Sequence, residues 1–191
     1  EAVSLVEYQV SVLRDQIHDL RRRMQVLVAN ARDNEKLSQR LHRLTLMLAE
    51  CKTLDEMLST LYQGLEDDFD ADFAVIRLFA APSDAHDAGL GEFLGTDAPG
   101  RELFAQLLGS SRPLCGRVKS AQMAFLFPTH SAEIGSGALL PLGTTRRFGV
   151  LAIASRDAGR FHAGMGTIFL RQLADIVSHM LAPYVARAAQ S

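Results

Sequence analysis

At 191 residues and 20.9 kDa, with 48% hydrophobic and 22% charged residues, the chain is long enough for one sizeable core plus an appendage and too apolar to stay disordered. A formal charge of -2 gives no global reason to bind nucleic acid or an anionic membrane, both of which need clustered positive charge. Two cysteines, Cys51 and Cys115, do not make a disulfide scaffold, and no apolar run reaches the length of a membrane span, so the expected setting is a reducing cytoplasm. The chain opens on Glu1 rather than Met, which leaves room for a segment upstream.

Residues 1–50 read as a coiled-coil dimerisation helix. Heptads counted from Val3 place Val3, Val10, Ile17, Met24 and Ala31 at a, and Val6, Leu13, Leu20 and Leu27 at d. No Gly or Pro occurs before Gly64, so at about 1.5 Å per residue an unbroken helix would reach roughly 70 Å. A rod of that length cannot hide a narrow apolar stripe along one small domain and needs a partner helix, most simply a second copy. β-Branched residues at a with Leu at d favour two parallel strands, and the g-to-e pairs Gln9 with Arg14 and Gln16 with Arg21 bring no like charges together. The expected homodimer seam therefore comprises Val6, Val10, Leu13, Ile17, Leu20, Met24 and Leu27. Beyond Asn30 the pattern softens as Asn34 and Ser38 enter it, and Leu37, Leu41, Leu44 and Leu48 mark a rotated stripe. The basic triplet Arg21, Arg22, Arg23 sits among Asp15, Asp19 and Asp33 and reads as a solvated face rather than a phosphate contact.

Residues 51–191 read as one α+β domain. Thr53 and Glu56 have capping-box spacing ahead of a helix that carries Leu54, Met57, Leu58, Leu61 and Leu65 on one face and ends near Gly64 to Asp67. The acidic run Glu66, Asp67, Asp68, Asp70 and Asp72 then reads as an exposed loop, not a metal site. Phe73 to Phe79 predicts a central strand covered on both faces, residues 80–91 a loop, and Glu92 to Gly95 a short strand. Pro99 and Gly109 bracket a helix over Arg101 to Leu108. Met123 to Phe127, Gly137 to Leu142 and Phe148 to Ser155 are three further strand candidates, the last two joined as a hairpin through Gly143, Thr144 and Thr145. A closing helix runs from about Gly164 to Tyr184. An antiparallel sheet with helices on its faces is the layer solution that fits this order.

Ala138-Leu-Leu-Pro-Leu-Gly-Thr-Thr-Arg-Arg-Phe-Gly-Val-Leu-Ala-Ile-Ala-Ser155, with Phe161 and the closing helix, resembles the last hairpin and helix of GAF domains. Ser4-Leu-Val-Glu-Tyr-Gln-Val10 and Lys36-Leu-Ser-Gln-Arg-Leu-His-Arg-Leu-Thr45 resemble the bacterial DUF484 family, built as a helical segment followed by a GAF-like domain. The resemblance spans nearly the whole chain and implies a GAF-like fold, a dimer and a small-molecule pocket between the sheet and the helices on one face. By that resemblance the candidate lining residues are Phe93, Phe104, Leu108, Arg117, Phe125 and Phe127, with Arg117 placed to meet an anionic ligand. Ordinary core packing explains the same aromatic spacing.

Catalytic and metal signatures are absent. The histidines at 18, 42, 86, 130, 162 and 179 are never closer than 17 positions, so no metal-ligand spacing occurs, and no cofactor or metal is expected. Gly135-Ser136-Gly137 lacks the spacing of a nucleophile elbow, and there is no Walker loop or dinucleotide fingerprint. Cys115, between Arg112 and Arg117, is the one residue that suggests thiol chemistry, but its only companion, Cys51, lies at the coil junction. These readings converge on a non-catalytic sensory or regulatory module that dimerises and binds a small molecule or a partner protein. A ligand-free dimerisation scaffold and a thiol-dependent small-molecule reductase are the alternatives.

Overall fold

The computed structural model describes residues 5–110, 112–162 and 167–186, with side chains described from Tyr8 onward. The chain divides into two compact units, one ending at Arg40 and the other beginning at Leu41. Helix α1 (Leu5–Glu50) supplies all described residues of the first unit. Its surface holds the ion pairs Arg23–Asp19 at 2.7 Å and Lys36–Asp33 at 4.0 Å, both at helical spacing, so Arg23 of the basic triplet is partly neutralised by its own helix.

The heptad stripe of this unit is exposed in the single chain: Leu13 is 56%, Leu20 63% and Leu27 67% accessible, with Val10, Ile17 and Met24 likewise open. The side chain of Val6, which opens the expected seam, lies outside the described residues. From Leu41 the situation inverts. Leu41, Leu44 and Leu48 are buried within the second unit, so the d positions at 41 and 48 are consumed by the chain's own domain. Residues 41–50 accordingly count with the domain, although their heptad phase continues the coil.

In the second unit, α2 (Leu54–Phe69) starts at Thr53, whose hydroxyl accepts from the Glu56 N–H at 3.2 Å. The Glu56 carboxylate reaches back to the Lys52 N–H at 2.9 Å, one residue earlier than in an ideal capping box. The helix does not stop at Gly64, as its glycine suggested. Gly64 is buried at a point where a Cβ would lie 2.6 Å from Leu44 Cδ1, so the missing side chain lets α2 close on the last turns of α1. The helix ends five residues on, where Asp70 takes the left-handed conformation and the Ala71 N–H closes back on the Leu65 carbonyl at 3.2 Å.

Strands β1 (Phe73–Leu78), β2 (Leu114–Gly116), β3 (Ser136–Leu142) and β4 (Gly149–Ser155) form one antiparallel sheet in the order β1-β4-β3-β2. The fold is therefore α+β with helices on its faces. Phe73 to Phe79 does not hold the central place expected of it. β1 is an edge strand, and the chain covers its far end, where the Leu78 N–H donates to the Glu92 carbonyl at 2.7 Å and the Leu94 N–H to the Leu78 carbonyl at 2.9 Å. The centre belongs to the β3–β4 hairpin, buried along its full length, as near-continuous apolar runs require. Gly143, at φ 110°, makes the turn; a Cβ there would lie 2.1 Å from the Arg146 carbonyl oxygen. Pro141 is tolerated in this inner strand because β2 reaches only as far as Leu139, so the missing N–H lies beyond the β2 ladder.

The segment Met123 to Phe127 is not a strand. It belongs to α4 (Ser120–Leu126), in which Gln122, Met123 and Leu126 are buried at helical spacing. Five apolar residues in a row carry no period of their own, and packing decided between helix and strand. A 3-10 turn (Arg101–Phe104) leads into the single turn α3 (Ala105–Leu108), closed by Gly109. The closing helix α5 (Thr167–Leu181) continues as a 3-10 turn through Tyr184. Its expected start at Gly164 lies outside the described residues.

Strand alternation sorts the core into two layers. Val150, Ala152 and Ala154 of β4, with Leu139 of β3, face Phe79, Phe104, Leu107, Met123, Leu126 and Phe127. The small side chains of β4 leave the volume that the phenylalanine rings fill. Leu140, Leu142, Leu151 and Ile153 have the opposite parity; on that side α5 packs against β3 and α2 against β1.

Candidate functional site

A cleft of about 990 Å3 opens at the β2 edge of the sheet. Its floor is the paired Gly116 of β2 and Gly137 of β3, its walls are Met123 and Ala124 of α4 and the loop through Ile134, and Phe161 and His162 stand on the remaining side. Small residues keep it open. Gly116 has φ 114°, where a side chain is strained, and a Cβ on Gly137 would come within 3.2 Å of Met123 Cε and 3.5 Å of Val118 Cγ2, both in the lining.

The loops that flank the cleft are tied down by buried polar groups. Ser136 donates its hydroxyl to the Asp157 carbonyl at 2.5 Å and accepts from the Phe161 N–H at 3.1 Å, fixing the 157–161 turn against the start of β3. The Gly135 N–H donates to the Ser155 carbonyl at 2.9 Å, an approach that a side chain would block, since its Cβ would meet the Arg156 carbonyl oxygen at 2.4 Å. Behind this, Arg156 donates to Asp72 at 2.9 Å and to Glu133 at 2.9 Å while its guanidinium lies 4.6 Å from the centroid of Phe73. His130 Nδ1 lies 3.0 Å from Glu133 and its ring stacks on Phe73 at 4.8 Å.

Asp72 is thus a structural joint, not part of a freely solvated acidic loop. The Ser155 hydroxyl donates to it at 2.6 Å and the Arg156 N–H at 2.9 Å, and these bonds, with the Arg156 charge, hold its carboxyl below the usual range. Hydrogen bonding from His130 and then Arg156 lowers Glu133 in the same way. Elsewhere in the acidic run, Asp68 lies 3.7 Å from Arg43 and Asp70 lies 3.6 Å from Arg160. Among the described residues no three of His, Cys, Asp and Glu converge as a metal site.

The lowered Asp72 sets a pH dependence. A carboxyl depressed in the folded state contributes stability that is fully present above its unfolded value, about 3.9, and is lost as pH falls through its folded value. Urea midpoints for the native chain should therefore fall on acidification below about pH 4, and Asp72→Asn should flatten that acid limb while lowering the midpoint at pH 7. An unchanged acid limb in the variant would remove Asp72 from this role.

The six lining residues anticipated for a pocket do not surround one cavity. Arg117 lines the 990 Å3 cleft and is exposed there. Leu108 borders a separate depression of about 730 Å3 with Arg101, Arg146 and Arg147, and Phe127 borders a third of about 480 Å3 beside Phe73 and His130. Phe104 is 0% exposed, in contact with Phe79 at 5.9 Å and with the half-buried Phe125 at 5.7 Å, so this aromatic group is core packing. Phe93 is half-buried where the chain bridges to Leu78. The residues missed were Val118, Met123, Ile134 and Phe161. A helical reading of Gln122, Met123, Leu126 and Phe127 was the one signal that would have brought Met123 to the cleft.

Cys115 also borders the cleft, and burial pushes its thiol pKa up, away from the thiolate. Cys51 is not in the lining; its thiol lies 3.4 Å from the Met47 carbonyl and 3.4 Å from the Thr60 hydroxyl. On the far side of the sheet the Tyr62 hydroxyl donates to Glu92 at 3.0 Å and accepts from the Ile76 N–H at 3.1 Å, and burial followed by the Glu92 charge raises its pKa. Among the described residues no helix is long and apolar enough to cross a membrane.

Comparison with known proteins finds relatives along nearly the whole chain. The chain is similar to the Uncharacterized protein YigA of Escherichia coli (strain K12), 30% identical over 191 residues that cover 97% of this chain and 78% of the relative. It is similar to the proteins of that name from Shigella flexneri, 29% identical, and Salmonella typhimurium (strain LT2), 30% identical, with the same coverage. The family model described as "Protein of unknown function, DUF484" matches residues 1–186, unbroken from the exposed heptads through α5, and the chain belongs to that family.

Proposed function

We propose that the chain is a non-catalytic regulatory module, in which the α+β domain binds a small molecule and the helical unit pairs with a second copy. The observation that carries the ligand reading is the open cleft of about 990 Å3, framed by glycines and held by fixed loops. Its size is that of small-molecule sites, and the likeness to GAF domains supports a pocket beside the sheet. The raised thiol of Cys115, with no second cysteine in the lining, disfavours the reductase alternative. The exposed stripe of Val10, Leu13, Ile17, Leu20, Met24 and Leu27 supports the dimer.

Thermal unfolding of the full chain against a library of metabolites and nucleotides, with calorimetry on every hit, tests the ligand reading. A saturable binder present at 100 times its Kd should stabilise the domain by about 2.7 kcal/mol. A library and a cell extract that yield no saturable binder would refute it. A purely structural dimerisation scaffold is the second reading, favoured by the way Phe104 and Phe127 fill the interior of their layer, and it predicts an intact dimer that binds none of these compounds.

A further inference from the structure

The charge of the cleft narrows what it can hold. Among the described lining residues none is Asp or Glu, and the basic side chains are Arg117 and His162. The chain as a whole carries more acidic than basic residues, so a carboxylate-free lining around an arginine is a local inversion. The two carboxylates nearest in sequence are engaged elsewhere: Glu133 bonds Arg156 and His130, and Asp157 accepts from the Gly159 N–H at 2.8 Å. Arg117 makes no ion pair among the described residues, unlike Arg156, which is held by two carboxylates. The cleft beside Leu108 has three arginines but also Asp97 and Glu102 in its own lining.

The other half of the lining is apolar. Val118, Met123, Ile134 and Phe161 line the same space, and Ser120 and Ser131 border it. An arginine can give a carboxylate, sulfonate or phosphate two parallel hydrogen bonds, and the apolar wall would exclude water from the body of the ligand. From this juxtaposition we infer that the cleft selects a small organic anion with an apolar body, recognised at its charged end by Arg117 and supported by His162. The inference rests on the ligand-binding reading above and adds the class of ligand.

The test uses two probes of matched shape. 8-Anilinonaphthalene-1-sulfonate carries the anion, and N-phenyl-1-naphthylamine lacks it. Each is titrated into the full isotope-labelled chain while the backbone amides of Gly116, Gly135 and Gly137 are followed by NMR, so that binding in the cleft is separated from binding along the exposed helix. The sulfonate should shift these three amides saturably, and Arg117→Gln should weaken that binding about tenfold or more, the worth of a hydrogen bond to a charged group. Arg146→Gln, in the separate depression beside Leu108, should leave it unchanged. Equal affinity for the neutral probe, or no effect of Arg117→Gln, would overturn the anion inference while leaving a ligand pocket in place. Failure of both probes to move these glycines would count against the pocket itself.

Discussion

Replacing Leu13 and Leu20 together by Asp should convert the chain from dimer to monomer in light scattering at micromolar concentration, with the α+β domain still folded. Both leucines stand open in the single chain, so neither is part of its buried core. In the proposed dimer each change acts twice, and four leucines at about 1.5 kcal/mol or more apiece amount to roughly 6 kcal/mol, about four decades in Kd, before the cost of burying the new carboxylates. The proposed seam loses its d positions at Leu41 and Leu48, which with Leu44 are buried in the domain. The same exchange at Leu44 should therefore unfold the domain rather than merely separate the chains. A native chain that is already monomeric under these conditions would refute the dimer and with it the reading of the exposed stripe.

The largest loss of stability from a single truncation is expected at Phe104. Its ring is wholly enclosed, between Phe79 and Phe125, in the layer faced by the small residues of β4. Phe104→Ala would leave a cavity that Val150 and Ala152 cannot fill, at a cost of about 3 to 5 kcal/mol in the unfolding free energy measured by urea titration. This also separates two roles for the aromatic group. A phenylalanine that lines a ligand site would lose affinity on truncation with little loss of stability, whereas a core residue loses stability first. A change below about 1 kcal/mol would return Phe104 to the pocket.

Elements with a strong local signal were legible before any packing was considered. The long helix followed from heptads uninterrupted by Gly or Pro, α2 from Thr53 and Glu56, and the β3–β4 hairpin from two apolar runs around Gly143. Family membership was legible too, through the residue patterns at Ser4 to Val10 and Lys36 to Thr45. Met123 to Phe127 was misread because an unbroken apolar run satisfies either period, and β1 because burial of a strand end by residues 92–94 resembles burial by two flanking strands.

The candidate site was the least legible part. Of the six residues taken as pocket lining only Arg117 reaches the main cleft, since Phe104, Phe125 and Phe127 are drawn toward the core by the space the alanines of β4 leave. Local sequence thus determined which segments are helix or hairpin and which helical stripe is left exposed, because turn chemistry and side-chain period act over a few residues. Strand order, the edge position of β1 and the meeting of Gly116, Gly137, Met123 and Phe161 around one cleft were decided by the tertiary structure. These depend on contacts between residues far apart in the chain, and a one-dimensional pattern of polarity does not record which distant surfaces meet.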